Sequence, residues 1–225
     1  LLRVTYAFQG AAAQITLKRI ATLRKDHPVK RIVVLATSAL WVLATQSIAS
    51  PPDRIKELNA AAIAQTTQHV IYDGSYRRIT YPGGDVPADR GVCTDVVIRA
   101  YRTIGIDLQQ RVHEDMQAAF AAYPRQWGMR QPDANIDHRR VPNLQTYFSR
   151  QHAQLDVTTN ASDYQAGDLV TWMLPGNLPH IGIATMQRSV SGDRPLIVHN
   201  IGRGPQLEDM LFAYPITGHY RLLAQ

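Results

Sequence analysis

A chain of 225 residues with 45% apolar content is long enough for one domain with a substantial core and short for two. Its formal charge of +6 would suit nucleic acid or an acidic surface, but seven of the 24 basic residues and one of the 18 acids fall in residues 1–49. The rest of the chain is therefore neutral, which removes the electrostatic basis for nucleic-acid binding.

In chain order, the first readable feature is an export signal. Lys30 and Arg31 form a positive start, Ile32 to Ala44 is an uncharged apolar run, and Ser47-Ile48-Ala49 supplies small residues for cleavage before Ser50-Pro51-Pro52. Residues 1–49 are thus expected to be an N-terminal extension plus signal peptide, and residues 50–225 a single periplasmic or secreted domain. The alternative is an inner-membrane anchor through residues 32–48, a run short for a span. With the signal cleaved, no stable membrane insertion is expected.

Export gives the cysteine count a meaning. Exported domains use cysteines in pairs, and Cys93 is the single one in the chain. It is either a small buried hydrophobe or a reactive thiol.

Asp53 after Pro-Pro predicts a capped helix to about Gln68. Residues 69–92 read as short extended or irregular segments broken by Asp73-Gly74 and Pro82-Gly83-Gly84. A second helix is expected over Cys93–Ile104, with Val96, Val97, Ala100 and Tyr101 as its apolar stripe and Gly105 as its stop. Helices are also expected over Glu114–Ala122 and Val141–Arg150. The period then changes to strands at Leu169–Met173, His180–Met186 and Leu196–Ile201. Helices followed by an antiparallel meander make an α+β fold, with the Cys93 helix packed on a small antiparallel sheet.

A thiol nucleophile needs a lowered pKa, a base and oxyanion donors. The helix N-terminus at Cys93 favours thiolate, and the backbone N–H of Cys93 is an oxyanion donor. Alternation puts His180, Gly182 and Ala184 on one strand face, small enough for the helix to bring the thiol against the imidazole. A hairpin near Val190 would place His199 roughly opposite His180, with Asn200 the competing third residue. Asp95 is either an acid complementing the helix dipole or a contact for a substrate amine. Arg139 and Arg140 are solvated charges or readers of substrate carboxylates. His113-Glu114-Asp115 and Asp137-His138 match no metal-ligand spacing, so no metal and no cofactor are expected.

The block YPGGDVPADRGVCTDVVIRAYRTIGIDL resembles the nucleophile segment of NlpC-type cell-wall cysteine peptidases, and GDLVTW followed by HIGIAT resembles their two central strands. VHEDM, NIDHRRVPNL and IVHNIGRGP together resemble a family of exported bacterial proteins, the domain of unknown function 1287 family, a divergent branch of the same papain-like superfamily. The resemblance implies a papain-like fold and a metal-independent hydrolase cutting an amide or peptide bond of peptidoglycan or its stem peptides. It implies Cys93 as nucleophile, His180 as base, His199 as orienting residue, and Tyr81 as an oxyanion or substrate contact. Val92, Thr94 and Asp95 depart from the pattern around the nucleophile, and residues 109–150 read as an insertion reshaping the cleft. A cysteine acyltransferase and a non-catalytic wall-binding domain remain alternatives.

Overall fold

The computed structural model describes residues 50–224. The expected export signal lies outside the described residues. Among the described residues no helix is long and apolar enough to cross a membrane.

The chain is a mixed α+β fold. Helix α1 (Pro51–Ala64) begins after Ser50, whose hydroxyl donates to Asp53 at 2.6 Å, so Asp53 sits in the first turn rather than at the cap. Two short parallel strands follow, β1 (Ile71–Tyr72) and β2 (Arg90–Gly91), with Tyr72 opposite Gly91. Helix α2 (Cys93–Thr103) ends before Gly105, which adopts the left-handed conformation expected of a helix stop.

Helix α3 (Leu108–Ala119) starts six residues earlier than its sequence reading, because Asp107 caps it by accepting from the Gln109 N–H at 3.0 Å. With Gly105 stopping one helix and Asp107 starting the next, the two run together without a visible loop. Helix α4 (Val141–Arg150) has its expected bounds.

Six antiparallel strands form the main sheet. They are β3 (Gln154–Leu155), β4 (Leu169–Leu174), β5 (Leu178–Arg188), β6 (Pro195–His199), β7 (Gln206–Glu208) and β8 (Ile216–Tyr220), in the spatial order β3-β8-β4-β5-β6-β7. Strand β5 starts at Leu178, so His180 is its third residue and lies opposite Trp172 on β4.

Strand alternation builds two cores. Leu169, Ile181, Ile183 and Val198 face the helices and share a buried cluster with Cys93, Val96, Val97, Ala100 and Tyr101 of α2. Val170, Trp172, Ala184 and Ile197 point the other way and pack with Tyr164, Met210 and Leu211. Helix α2 therefore lies on the isoleucine face of β5, not on the expected His180–Gly182–Ala184 face. Gly182 is small for another reason: a Cβ there would lie 2.6 Å from Ile197 Cγ2 and 3.1 Å from His199 Cβ. It makes room for the β6 side chains, not for a helix.

Candidate active site

Cys93 opens α2 and is buried, 4% exposed. It lies on the wall of a cavity of about 400 Å³ with Tyr72, Trp127, Arg140 and Pro179. Burial pushes its thiol up to about 11, and the Asp95 carboxylate adds to the rise. Backbone N–H groups of Ile181, Thr94 and Cys93 itself pull the other way without reversing it. The lowered pKa expected from the helix N-terminus is thus overturned: loss of hydration outweighs the dipole. The resting sulfur is a neutral thiol at pH 7.

Tyr72, not singled out from the sequence, reaches the sulfur through the β1–β2 pairing. Its hydroxyl is raised to about 12, first by burial and then by its interaction with Cys93. It places a hydroxyl beside the Cys93 sulfur. Only a two-residue strand far upstream brings it there, a signal too short to read.

The imidazoles form a relay on the opposite face of β5. His180 Nε2 and His199 Nδ1 are 3.0 Å apart, and His199 Nε2 lies 2.9 Å from Glu208 Oε2. A carboxylate only accepts, so His199 donates through Nε2 and its Nδ1 is bare. That nitrogen must then accept from His180 Nε2–H, which leaves Nδ1 of His180 as the basic atom. Burial lowers His180 to about 3, helped by His199, and burial lowers His199 against the opposing pull of Glu208. Both rings are neutral at pH 7.

His199 lies opposite Gly182, so it meets His180 diagonally across the strand pair rather than face to face. Glu208 was missed because the three-residue strand β7 carries no periodic signal. Its place is set by pairing, with Glu208 opposite Ile197 on the His199 face.

Strand β5 passes the thiol on both sides of His180, since Pro179 lines the Cys93 cavity and the Ile181 N–H meets the sulfur. Among the described residues no hydrogen bond joins the Cys93 sulfur to an imidazole. The expected thiol–imidazole contact is absent because alternation sends the ring to the face opposite α2.

Four other expected site residues have structural explanations or new positions. Asp95 and Arg139 form a buried pair, with Nε and Nη2 of Arg139 donating to the two carboxylate oxygens at 2.8 and 2.9 Å. Asp95 also accepts from the Val92 N–H at 2.7 Å, anchoring the start of α2, while Arg139 donates to the Ser75 and Asp73 carbonyls. Neither is free for substrate.

Tyr81 stands edge-on to His113, with ring centroids 4.9 Å apart, and does not line the Cys93 cavity. The loop that carries it is held elsewhere: Gly83 and Gly84 donate to Asp107 and Gln109, and a Cβ on Gly84 would collide with Thr80 O. Asn200 is buried and accepts from the Gly202 N–H, on the opposite face from His180, so of the two it is His199 that contacts His180.

Arg139 and Arg140 both line the cavity, but Arg139 is committed to Asp95 and two backbone carbonyls, whereas the Arg140 guanidinium lies 4.5 Å from the Trp127 ring centroid. Among the described residues no group of three or more His, Cys, Asp or Glu side chains is arranged to hold a metal ion.

The profile of a family described as a domain of unknown function, DUF1287, matches residues 59–222, which include Cys93, His180, His199 and Glu208. This chain belongs to the DUF1287 family. It is similar to the uncharacterized protein YijF of Escherichia coli (strain K12), 48% identical over 194 residues that cover 82% of this chain and 94% of that protein. No solved structure matches the chain significantly. For this DUF1287 member the site therefore has to be read from its own geometry.

Proposed function

We propose that this chain is an exported, papain-like cysteine hydrolase, a divergent relative of the NlpC-type peptidases, that cuts an amide or peptide bond of peptidoglycan. The observation that carries the reading is the Glu208–His199–His180 relay, which directs a basic nitrogen to His180 on the strand that passes the Cys93 thiol. A buried chain of this kind fixes which nitrogen of His180 carries the proton, as a general base requires.

In the proposed reaction, Nδ1 of His180 takes the thiol proton as the sulfur adds to the substrate carbonyl. The Cys93 N–H and the Tyr72 hydroxyl donate to the oxyanion. The imidazolium then protonates the leaving amine as the C–N bond breaks. Water, deprotonated by the same imidazole, attacks the thioester and releases a carboxylic acid and the free thiol. Because thiol and imidazole are both neutral at rest, the proton moves during attack, not before it. Catalysis also requires the His180 ring to leave the β5 face opposite α2 and come within hydrogen-bond distance of the sulfur, so the reading needs a local rearrangement of β5 around His180.

A second reading has its own support. The raised thiol pKa and the missing thiol–imidazole bond suit a non-catalytic wall-binding domain. Digestion of purified peptidoglycan separates the two. The hydrolase releases soluble fragments that the Cys93→Ala variant does not release, and release of identical fragments by both proteins, or by neither, rejects the proposal.

A further inference from the structure

We propose that the groove beside Cys93 is a carboxylate-binding site, in which Arg140, braced on the face of Trp127, reads an acidic ligand such as a peptide acid. Two cavities, of about 400 and 720 Å³, share Tyr76, Trp127, Ile136 and Arg140 in their walls, so they adjoin, with the Arg140–Trp127 stack on their common border. The smaller contains Cys93, and the larger opens away from it toward Arg78 and Asp133.

Two adjacent arginines have opposite fates. Arg139 is buried with its donors on a carboxylate and two backbone carbonyls. Arg140 has one long contact, 3.5 Å to Asp137 Oδ1, its guanidinium lies 4.5 Å from the Trp127 ring centroid, and it lines both cavities with the other donors of its planar fork uncommitted among the described residues.

Charge in the larger chamber favours an anion. Arg78, which makes no ion pair among the described residues, and Arg140 outnumber the one acid of its wall, Asp133, whose carboxylate accepts from the backbone and side-chain N–H groups of Asn135 at 2.9 and 2.7 Å. Trp127 is 57% exposed and has a positive φ of 57°, uncommon for a bulky residue and typical of strained positions at ligand sites. An exposed indole carrying a guanidinium at the mouth of a nucleophile's cavity offers a planar two-pronged donor for one carboxylate.

The inference shares its cavity with the proposed hydrolase site and rests on that reading for its relevance to turnover, but binding needs no bond to be cut. The test therefore uses the full chain carrying Cys93→Ala. Its tryptophan fluorescence is titrated with the tetrapeptide Ala-Glu-Lys-Ala, which carries two carboxylates, and with the same peptide carrying both as amides. The free acid is expected to bind about ten- to a hundredfold more tightly than the amide, as a charge-assisted hydrogen-bond pair would give. Arg140→Ala in the same background should erase that difference, and Arg140→Lys should restore part of it, with thermal melting confirming that each variant is folded. Equal affinity for acid and amide, a preference that survives Arg140→Ala, or no binding of either peptide at millimolar concentration overturns the proposal. A retained preference in a protein that digests no peptidoglycan would reject the hydrolase and leave the carboxylate site standing.

Discussion

Replacing Asp95 by alanine should destabilise the fold by about 4–6 kcal/mol, the mark of a residue that supports the start of α2 rather than one that contacts a ligand. The side chains of Asp95 and Arg139 are 3% and 2% exposed, so deleting the acid leaves a guanidinium buried with only two backbone carbonyls as partners. Breaking one side of such a pair costs about 3–5 kcal/mol. The lost acceptor for the Val92 N–H adds about 1 kcal/mol, the usual worth of a helix-start hydrogen bond. Against a typical domain stability of about 5–15 kcal/mol this is a large fraction. Urea unfolding followed by circular dichroism measures it as a lowered midpoint at constant slope. The double variant Asp95→Ala/Arg139→Met should recover part of the loss, because no buried charge is then left alone. A loss below about 1 kcal/mol, together with weakened ligand binding, would refute the reasoning and return both residues to a substrate-reading role.

Four further outcomes follow from the geometry. Gly182→Ala should cost about 1–3 kcal/mol, since its Cβ would lie 2.6 Å from Ile197 and 3.1 Å from His199; an unchanged melting temperature would contradict the packing described. Glu208→Gln should lower the pKa of His199, because the carboxylate alone opposes burial there; ¹⁵N imidazole shifts measure this, and unchanged shifts at both histidines would mean that no relay exists. Alkylation of Cys93 by iodoacetamide should be slow at pH 7 and quicken toward pH 11, since only the thiolate reacts. The same raised pKa has a stability consequence with a definite sign. The folded thiol holds its proton more tightly than the unfolded one, so the contribution is full below the unfolded pKa near 9. It is lost as pH rises toward 11, at about 1.4 kcal/mol per unit. Cys93→Ala should lack this part of the alkaline decline, and equal declines in both proteins would contradict it.

Much of the fold was legible because it rests on local signals. The α2 stripe, the Gly105 stop and the bounds of α4 follow from apolar spacing and punctuation, and β4 and β5 from their dense apolar runs. Strands β3, β7 and β8 were not legible. The first two have only two and three residues, and β8 includes Gly218 and His219, the latter committed to the buried Asp168 at 2.7 Å.

The site divides in the same way. Cys93 at a helix start and the His180–His199 partnership were legible from position and spacing. Which face of β5 met the helix was not, because the small Gly182 fits a close helix and a crowded neighbouring strand equally well. Tyr72 and Glu208 depend on pairing between segments far apart in the chain, and the Asp95–Arg139 pair on a contact spanning 44 positions. Burial, which decides the thiol's pKa against the helix dipole, is likewise a property of the assembled core.

The central claim is that Cys93 attacks a wall amide, and its covalent intermediate is the most direct test. The chain is incubated with peptidoglycan stem peptides, quenched in acid, and weighed intact by mass spectrometry. The account predicts an acyl adduct that maps to Cys93 and is absent from Cys93→Ala. Fragments released with no adduct, and with equal yield from Cys93→Ala, would contradict it.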